Sequence, residues 1–346
     1  MKSIEFIQKL PFSQIISVTA ALIAASLVFV AYKIDPVGAY TKIFLGAYGG
    51  TFQLSETITK TIPLLLCGVG LALAFRAQIW NIGAEGQLLI GATAASGFAL
   101  FGPQLPPYLM LPIMFALAFA AGALWGLAGT LLKPKFQLYD AMATLLLNFV
   151  ALKVLEYFVY GPWRGTEAYG YPLTNIFVES AHLPRLPDTR IHYPTLMIGL
   201  IAAVLIYYLL TSTRLGFEIR VSGGNPKAAK YAGINEWKVL ILVMIISGGL
   251  AGMAGAGEVA GIQHRLRIGI SPGYGYVAII VAWLAKLNPL ATIPSAIWMA
   301  GLLVASDIVQ VSFGLPFAIV NVFNGLILLF LTMELTLRRF VKWAIR

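Results

Sequence analysis

Charged residues are scarce in this chain. Asp, Glu, Lys and Arg make up only 11% of its 346 residues, against about 25% in ordinary soluble domains. Hydrophobic residues account for 59%, and the mean hydropathy is +0.83. This balance excludes a soluble globular domain and predicts a polytopic integral membrane protein. In that class the net charge of +10 indicates Lys and Arg kept in cytoplasmic loops, so we expect no nucleic acid polymer as a partner.

Cysteine and histidine are also rare. Cys67 is the only cysteine and lies in an apolar stretch, which excludes an intrachain disulfide and a Cys-based metal site. The histidines (His182, His192 and His264) have no ligand spacing, so we expect no metal site. The sequence also contains no G-x-x-x-x-G-K-[ST] segment, the usual phosphate-binding loop. It offers no plausible set of nucleophile, base and oxyanion donors. We therefore predict a chain that is not an enzyme and has no cofactor of its own.

Apolar stretches recur along the whole chain. A helix needs about 20 residues to cross the hydrocarbon of a bilayer, and most of these stretches reach that length with their flanks. We predict an all-α integral membrane bundle of about ten transmembrane helices. The first stretch is long for a signal peptide and lacks a small-x-small cleavage site, so we interpret it as a retained span. The stretches lie at residues 15–32, 62–75, 86–101, 108–132, 139–160, 194–212, 239–257, 276–285, 289–306 and 314–333.

Two of these stretches, 62–75 and 276–285, are too short to span on their own. Both are bounded or interrupted by glycine and proline. Short, interrupted spans in both halves of a transporter are typical of broken helices that line a transport path. Tilted or partly shielded helices explain the same pattern, and the sequence leaves both interpretations open.

The basic residues predict the orientation of the chain. With ten spans, Lys and Arg are in excess on the side that holds both termini, which places the N- and C-termini in the cytoplasm. Residues 1–346 then form a single transmembrane domain, with a polar outer loop at 161–193 and a cytoplasmic loop at 213–238. The outer loop either touches an external binding protein or only connects two spans, and the connector is the simpler interpretation.

The cytoplasmic loop contains a short polar helix with its own start and stop signals. Asn225 suits the N-cap, Pro226 the first helical position, and Gly233 the C′ position. A membrane protein that presents one small, capped, basic helix to the cytoplasm is suited to dock onto a soluble partner. Its two lysines either meet acidic groups of that partner or are solvated residues of the positive-inside face.

The segment 76–87 carries a dense set of polar residues between two apolar stretches. Arg76 is the expected counter-charge of Glu85, and Asn81 and Gln87 supply hydrogen-bond donors and acceptors. Such a cluster is either a gate at the edge of a solute path or a cytoplasmic-end turn fixed by one ion pair. Ionisable groups within a bilayer are costly and usually face the bundle interior.

Other polar residues lie within apolar stretches. Lys153 and Glu156 have i, i+3 spacing and should pair on one helix face. Asn148 suits an interhelical hydrogen bond or a place on the pathway. The tyrosines after Pro272 either present rings to a ring-bearing solute or form a plain interfacial turn. The candidates for the solute pathway are Trp80, Asn81, Glu85, Gln87, Asn148, Tyr274 and Tyr276.

Three motifs together resemble ABC importer permeases of the nucleoside and simple-sugar group. This group belongs to the binding-protein-dependent permeases of the branched-chain amino acid and ribose type. Residues 80–87 (Trp-Asn-Ile-Gly-Ala-Glu-Gly-Gln) resemble the signature of that group, and residues 224–234 its cytoplasmic coupling helix. Residues 132–148 resemble its passage from a cytoplasmic loop into a span that ends in Leu-Asn. The similarity covers about residues 40–335 in the same order. One departure is Tyr139-Asp140, where the group has Asn or His followed by Glu.

The resemblance implies a complex of two permeases and two ABC ATPases, fed by an external solute-binding protein. The complex would lie among lipids in the plasma (inner) membrane of a prokaryote, and the second permease is either the same chain or a paralogue. ATP and Mg²⁺ would bind the ATPase, and nucleosides would be the solute. The implied ATPase-docking helix comprises Gly224, Asn225, Pro226, Lys227, Ala228, Ala229, Lys230, Tyr231 and Gly233.

Alternative functions remain open from the sequence. Within the same class, the solute is a simple sugar or a branched-chain amino acid. In another class, the chain is a secondary transporter driven by an ion gradient, for which Glu85 and Glu258 would form a thin proton relay. An ion channel would need a run of filter carbonyls or a charged ring, which the sequence lacks.

Overall fold

A computed structural model describes residues 12–136, 139–166 and 170–314, together with 322, 325 and 326. In that part of the chain the regular structure is helical, and the β-structure consists of one isolated antiparallel bridge between Leu173 and Arg267. The all-α fold class predicted from composition is therefore confirmed. Asp35 starts the second helix by accepting a 2.7 Å hydrogen bond from the Gly38 N–H, with Pro36 at the first helical position.

The helices follow one another with short connections, apart from the outer loop and residues 259–273. We number them α1 Phe12–Ala31, α2 Pro36–Tyr48, α3 Thr51–Arg76, α4 Ala84–Phe101, α5 Pro107–Phe136, α6 Asp140–Tyr160, α7 Tyr193–Ser212, α8 Arg214–Gly224, α9 Pro226–Tyr231, α10 Glu236–Glu258, α11 Tyr274–Leu284 and α12 Thr292–Phe313. A 3₁₀ turn at Glu179–Ala181 lies in the outer loop, and a π-helical segment at Val259–Gln263 extends α10.

The predicted count of ten spans is not confirmed. Among the described residues, six helices are long and apolar enough to cross a membrane, or up to seven if the pair α1 and α2, bent by 114°, forms one span. The predicted stretch at 86–101 forms α4, which does not meet the same test, and the predicted stretch at 314–333 lies almost wholly outside the described residues. The polar start of α4, with Glu85 and Gln87, lowers its average hydropathy.

The prediction of two short spans is half right. Residues 62–75 are not a broken span but part of α3, a continuous helix of 26 residues with Pro63 inside it. The hydropathy pattern starts this helix too late, because Thr57, Thr59 and Thr61 belong to its N-terminal half and are themselves buried. The second short stretch does form a short helix, α11, of 11 residues. At 1.5 Å per residue it is about 16 Å long, roughly half the thickness of the hydrocarbon.

The described chain forms two compact units. The first comprises the described residues up to Thr57 and from Ala300 onward. Its core is an apolar cluster in which the rings of Phe29 and Tyr40 meet edge to face, with centroids 5.6 Å apart. In the same unit the Lys42 ammonium lies 4.8 Å from the centre of the Phe313 ring, a cation–π contact.

The second unit comprises Ile58–Met299 and contains every predicted site residue. Its centre is a trio of helices, α4, α5 and α10, that approach one another at glycines. A Cβ at Gly122 would lie 2.9 Å from the Cα of Gly252, and one at Gly248 would lie 3.1 Å from the carbonyl carbon of Gly122. These small residues therefore allow the helices to pack closely. On α6 the predicted ion pair is also present, with Lys153 Nζ 2.6 Å from Glu156 Oε2.

Candidate functional site

A cavity of about 300 Å³ lies in the second unit, where the beginnings of α4 and α11 meet the middle of α6. Three of the predicted pathway residues, Glu85, Asn148 and Tyr276, line it. The remaining lining is mostly apolar side chains and glycine backbone: Leu89, Phe149, Leu152, Leu155, Gly269, Ile270, Ser271 and Gly273. The cavity therefore combines a few polar groups with apolar walls, the usual composition of a small-molecule site.

Asn148 joins the three helices that border the cavity. Its Oδ1 accepts a 2.8 Å hydrogen bond from the Gly86 N–H at the start of α4. Its Nδ2 donates to the Ile82 carbonyl at 2.9 Å and to the Tyr276 hydroxyl at 3.2 Å. The predicted interhelical hydrogen bonds are thus confirmed, and the same residue reaches the cavity wall. Both roles that the sequence left open are compatible with this position.

Glu85 is bonded to the backbone of α11 rather than to Arg76. Its Oε2 accepts a 2.7 Å hydrogen bond from the Gly275 N–H. The predicted ion pair is wrong: Arg76 is exposed, and the described residues show no pairing between its guanidinium and Glu85. The two helix starts touch because residue 275 has no side chain, since a Cβ there would lie 2.6 Å from the Cα of Glu85.

Asn81 and Gln87 form a separate buried hydrogen-bond cluster. Asn81 Nδ2 donates to Gln87 Oε1 at 3.1 Å and to Ser247 Oγ at 3.0 Å, and Gln87 Nε2 donates to Asn81 Oδ1 at 2.9 Å. All three side chains are at most 1% exposed. Buried amides need such partners, so the cluster fixes the start of α4 against α10. These two residues lie outside the cavity lining.

Trp80 and Tyr274 also lie outside the cavity lining. Trp80 is 48% exposed and packs beside Phe75 and Trp283, with ring centroids 5.7 and 5.9 Å away. Tyr274 is buried, at 6% exposure. The sequence prediction did not include the apolar wall that α6 supplies. That wall follows Asn148 at helical spacing (Phe149, Leu152, Leu155), so the 3.6-residue period contained the signal.

The predicted cytoplasmic helix is present as α9. Asn225 caps it by accepting from the Ala228 N–H at 3.1 Å, Pro226 occupies the first position, and Gly233 follows its end with φ +73°. Its predicted docking residues divide into two sets. Ala229 is fully buried and so packs against its own chain, whereas Tyr231 is 94% exposed.

The helix before α9 touches the end of α3. A Cβ at Gly223, next to last in α8, would clash with the carbonyl oxygen of Arg76 and would lie 3.2 Å from the carbonyl carbon of Ala77. Residues 77–83 connect this contact to the start of α4, where Glu85 meets the cavity. This backbone contact therefore joins the α8–α9 segment to Arg76 and Ala77. From there residues 77–83 lead to Glu85 at the cavity wall.

The described part of the outer loop is bonded to the end of α10. The Leu183 N–H donates to Ala260 O at 2.9 Å and the Phe177 N–H to His264 O at 2.8 Å. Arg185 Nε donates to the Gly261 carbonyl at 2.7 Å, and its Nη2 contacts His264. The loop therefore supplies partners for the last carbonyls of a helix. Among the described residues, no group of three His, Cys, Asp or Glu is placed to hold a metal ion.

The attachment of the outer loop should weaken in acid. Burial, followed by the charges of His182 and Arg185, lowers the pKa of His264 to about 4 from 6.5. The attached loop thus binds fewer protons than the detached loop between these values. Its stability is complete above pH 6.5 and declines as the pH falls toward 4. After correction for intrinsic rates, we expect hydrogen exchange at the Phe177 and Leu183 amides to be several-fold faster at pH 5 than at pH 7.5.

The variant His264→Gln tests the cause. Glutamine keeps a polar side chain beside Arg185 but cannot gain a proton, so the acid acceleration should shrink. His192, with a pKa lowered to about 4 by burial and by Arg185, supplies the remainder. An acid response of unchanged size in the variant would contradict this account.

Comparison with known proteins identifies the family. The family model described as the permease component of the branched-chain amino acid transport system matches residues 53–332. The glucose ABC transporter permease protein TsgB13 of Haloferax volcanii is 35% identical, over 92% of this chain and 86% of its own. The guanosine ABC transporter permease protein NupP of Bacillus subtilis is 30% identical, over 94% and 93%.

A third relative is also an ABC transporter permease. The nucleoside ABC transporter permease protein NupB of Lactococcus lactis is 26% identical, over 92% of this chain and 90% of its own. A family model that matches most of the chain, and two relatives at 30% identity or more over nearly their whole length, establish membership. The chain belongs to the family of branched-chain amino acid transport system permease components, and it is an integral membrane permease subunit of an ABC transporter.

Proposed function

We propose that this chain carries nucleosides into a prokaryotic cell as a permease subunit of an ATP-driven importer in the plasma membrane. The observation that carries the choice of solute is the cavity. The rings of Phe149 and Tyr276 and several aliphatic side chains suit a planar base, and Glu85 suits ribose hydroxyls. The guanosine and nucleoside permeases among its relatives support the same choice.

A simple sugar is the second candidate. It is favoured by one observation, the 35% identity to a glucose permease. A sugar would use the polar groups of the cavity but would leave its aromatic and aliphatic walls without a matching apolar surface. We therefore rank nucleosides first.

The proposal assigns ATP hydrolysis to a partner ATPase that docks on α9. A capped helix transmits force better than a flexible loop, and the exposed ring of Tyr231 is the largest contact that α9 offers. Large exposed aromatic residues are frequent anchors of protein interfaces. ATP and Mg²⁺ would bind only the partner, and both termini of this chain would be cytoplasmic.

The remaining partners complete the import cycle. A second permease, either the same chain or a paralogue, would share the path, and an external binding protein would deliver the solute. Closure of the ATPases would move α9 and α8 together. The contact of Gly223 with Arg76 and the connection at 77–83 would pass that movement to Glu85 and the cavity.

The docking assignment is tested with Tyr231→Ala. Truncation of an interface anchor costs about 2 kcal/mol or more, so we expect ATPase affinity to fall by roughly tenfold or more. The measurement is co-purification of the ATPase in detergent together with ATP-driven adenosine uptake in proteoliposomes. The matched control is Tyr171→Ala, which removes a ring that is 68% exposed in the outer loop. Equal behaviour of the two variants would refute docking at α9.

A further inference from the structure

Glu85 stands out because it is a buried carboxylate at the edge of a cavity with one oxygen bonded to the backbone. It is 7% exposed, and its Oε2 takes the Gly275 N–H. The Ser271 side chain also hydrogen-bonds to Glu85. A carboxylate offers about four lone-pair sites, so beyond these two donors it keeps acceptor capacity for a ligand. Glu85 is among the cavity-lining residues. An acceptor of this kind pairs with hydroxyl groups.

Helix N-termini often bind anions, because they carry free N–H groups and a partial positive charge. The start of α11 is such a helix end beside the cavity. Here these groups are already used. Ser271 Oγ accepts from the N–H groups of Gly273 at 3.2 Å and Tyr274 at 3.0 Å, and Glu85 accepts from Gly275. The next two N–H groups, of Tyr276 and Val277, both donate to the Gly273 carbonyl at 3.1 Å. An anionic solute would therefore find no open backbone donor at this helix end.

Tyr276 supplies a neutral hydrogen-bond donor on the cavity wall. The Tyr276 hydroxyl accepts from Asn148 Nδ2 at 3.2 Å, which leaves its own proton to donate. The amide of Asn148 is committed to Gly86, Ile82 and Tyr276. Among the described residues that line it, the cavity thus offers a carboxylate acceptor and a phenol donor and no basic side chain.

We propose that Glu85 is a specificity-determining residue that admits neutral solutes with vicinal hydroxyl groups and disfavours solutes with a carboxylate or phosphate. The pair of hydroxyls donates to Glu85, and a ring oxygen or further hydroxyl accepts from Tyr276. A carboxylate or phosphate would meet Glu85 without a cation or an open helix end to stabilise it. The inference rests on the proposed function, because it takes the cavity to be part of the solute path.

The ribose of a nucleoside and a free sugar share this chemistry, so the test must separate them. We would measure binding of radiolabelled adenosine to the purified permease–ATPase complex and its displacement by unlabelled competitors. The competitors are 2′,3′-dideoxyadenosine, which lacks the vicinal hydroxyls, adenosine 5′-monophosphate, glucose and leucine. We expect adenosine to bind about tenfold or more tightly than the dideoxy analogue, and the monophosphate and leucine to compete poorly. If glucose is the only strong competitor, the site takes sugars, and Glu85 has the same role toward their hydroxyls.

The variant Glu85→Gln isolates the carboxylate at nearly constant shape. We expect it to bind adenosine and the dideoxy analogue with nearly equal affinity. The matched control is Glu156→Gln, on α6 but outside the cavity lining and paired with Lys153. It should keep the wild-type preference. A residue that only supported the fold would lower both affinities together and leave their ratio unchanged.

Each result has a definite meaning for the two claims. An unchanged adenosine preference in Glu85→Gln, with wild-type ATP-driven adenosine uptake intact, would overturn the role of Glu85 and leave the proposed function standing. Equal binding of adenosine and its dideoxy analogue to the wild-type complex would overturn it too. Absence of ATP-driven uptake of both adenosine and glucose by the wild-type complex would overturn the proposed function itself.

Discussion

Alanine at Gly223 is expected to lower ATP-driven uptake by about tenfold or more while the ATPase stays bound. The added Cβ would clash with the carbonyl oxygen of Arg76, so α8 must shift away from the end of α3. Over-packing of this kind costs about 1–3 kcal/mol, the equivalent of about 5- to 150-fold in an equilibrium. The measurement compares adenosine uptake per ATP hydrolysed in proteoliposomes that contain the complete complex.

The neighbouring glycine supplies the control. A Cβ at Gly224 meets no atom within 4 Å, and residue 224 is exposed at the end of the same helix. Gly224→Ala should therefore keep wild-type uptake per ATP. If Gly223→Ala transports as well as Gly224→Ala, the contact with Arg76 does not couple the two regions. Loss of the bound ATPase in Gly223→Ala would place the defect at the docking surface instead.

Leucine at Gly252 is expected to prevent formation of the native helix trio. A Cβ at this position would clash with the Ala118 carbonyl oxygen and lie 3.2 Å from the Cα of Gly122. The atoms in the way belong to the backbone of α5, which cannot turn aside as a side chain can. We expect a loss of about 3 kcal/mol or more in stability, seen as a large fall in thermal unfolding temperature and in the yield of monodisperse protein.

The control for this change lies next to it on α10. Met253 is partly exposed, so Met253→Leu is a volume-conserving substitution that should cost less than about 1.5 kcal/mol. An unfolding temperature of Gly252→Leu close to that of Met253→Leu would show that the helices separate at little cost. That result would contradict the close packing on which the position of the cavity depends.

Local signals predicted the α9 helix well. The cap of α9 involves residues within a few positions of one another, and Asn225, Pro226 and Gly233 take the positions that their chemistry favours. The packing of the same helix could not be predicted in this way. Ala229 is buried and Tyr231 exposed because of how α9 lies on the rest of the chain, and the six residues of the helix are too few for a reliable apolar stripe.

The partner of Glu85 shows the main limit of sequence reasoning. A counter-charge nine residues away, Arg76, was the simple expectation, but the actual partner is the N–H of Gly275, 190 positions along the chain. A backbone donor carries no residue-type signal, and only the fold brings it to the carboxylate. The sequence did place Glu85 and Asn148 among the candidates, because polar residues inside apolar stretches need partners.

The length of α3 shows a second limit. A hydropathy profile treats Thr57, Thr59 and Thr61 as the edge of a span, yet they are buried within the helix. Threonine hydroxyls can bond within their own helix or to neighbouring backbone, as Thr57 Oγ1 does by donating to the Ala47 carbonyl at 2.8 Å. Their polarity is thereby satisfied in the interior, and the helix continues through them.

The most direct test of the central claim is uptake of radiolabelled adenosine, glucose and leucine by proteoliposomes that hold this chain with its ATPase and binding protein. The account predicts adenosine uptake that requires ATP and the ATPase, exceeds uptake of glucose, and exceeds uptake of leucine by a wider margin. Adenosine uptake by this chain alone, driven by an ion gradient and indifferent to ATP, would contradict the assignment as an ABC importer subunit. ATP-driven uptake of leucine in preference to adenosine would contradict the assignment of the solute.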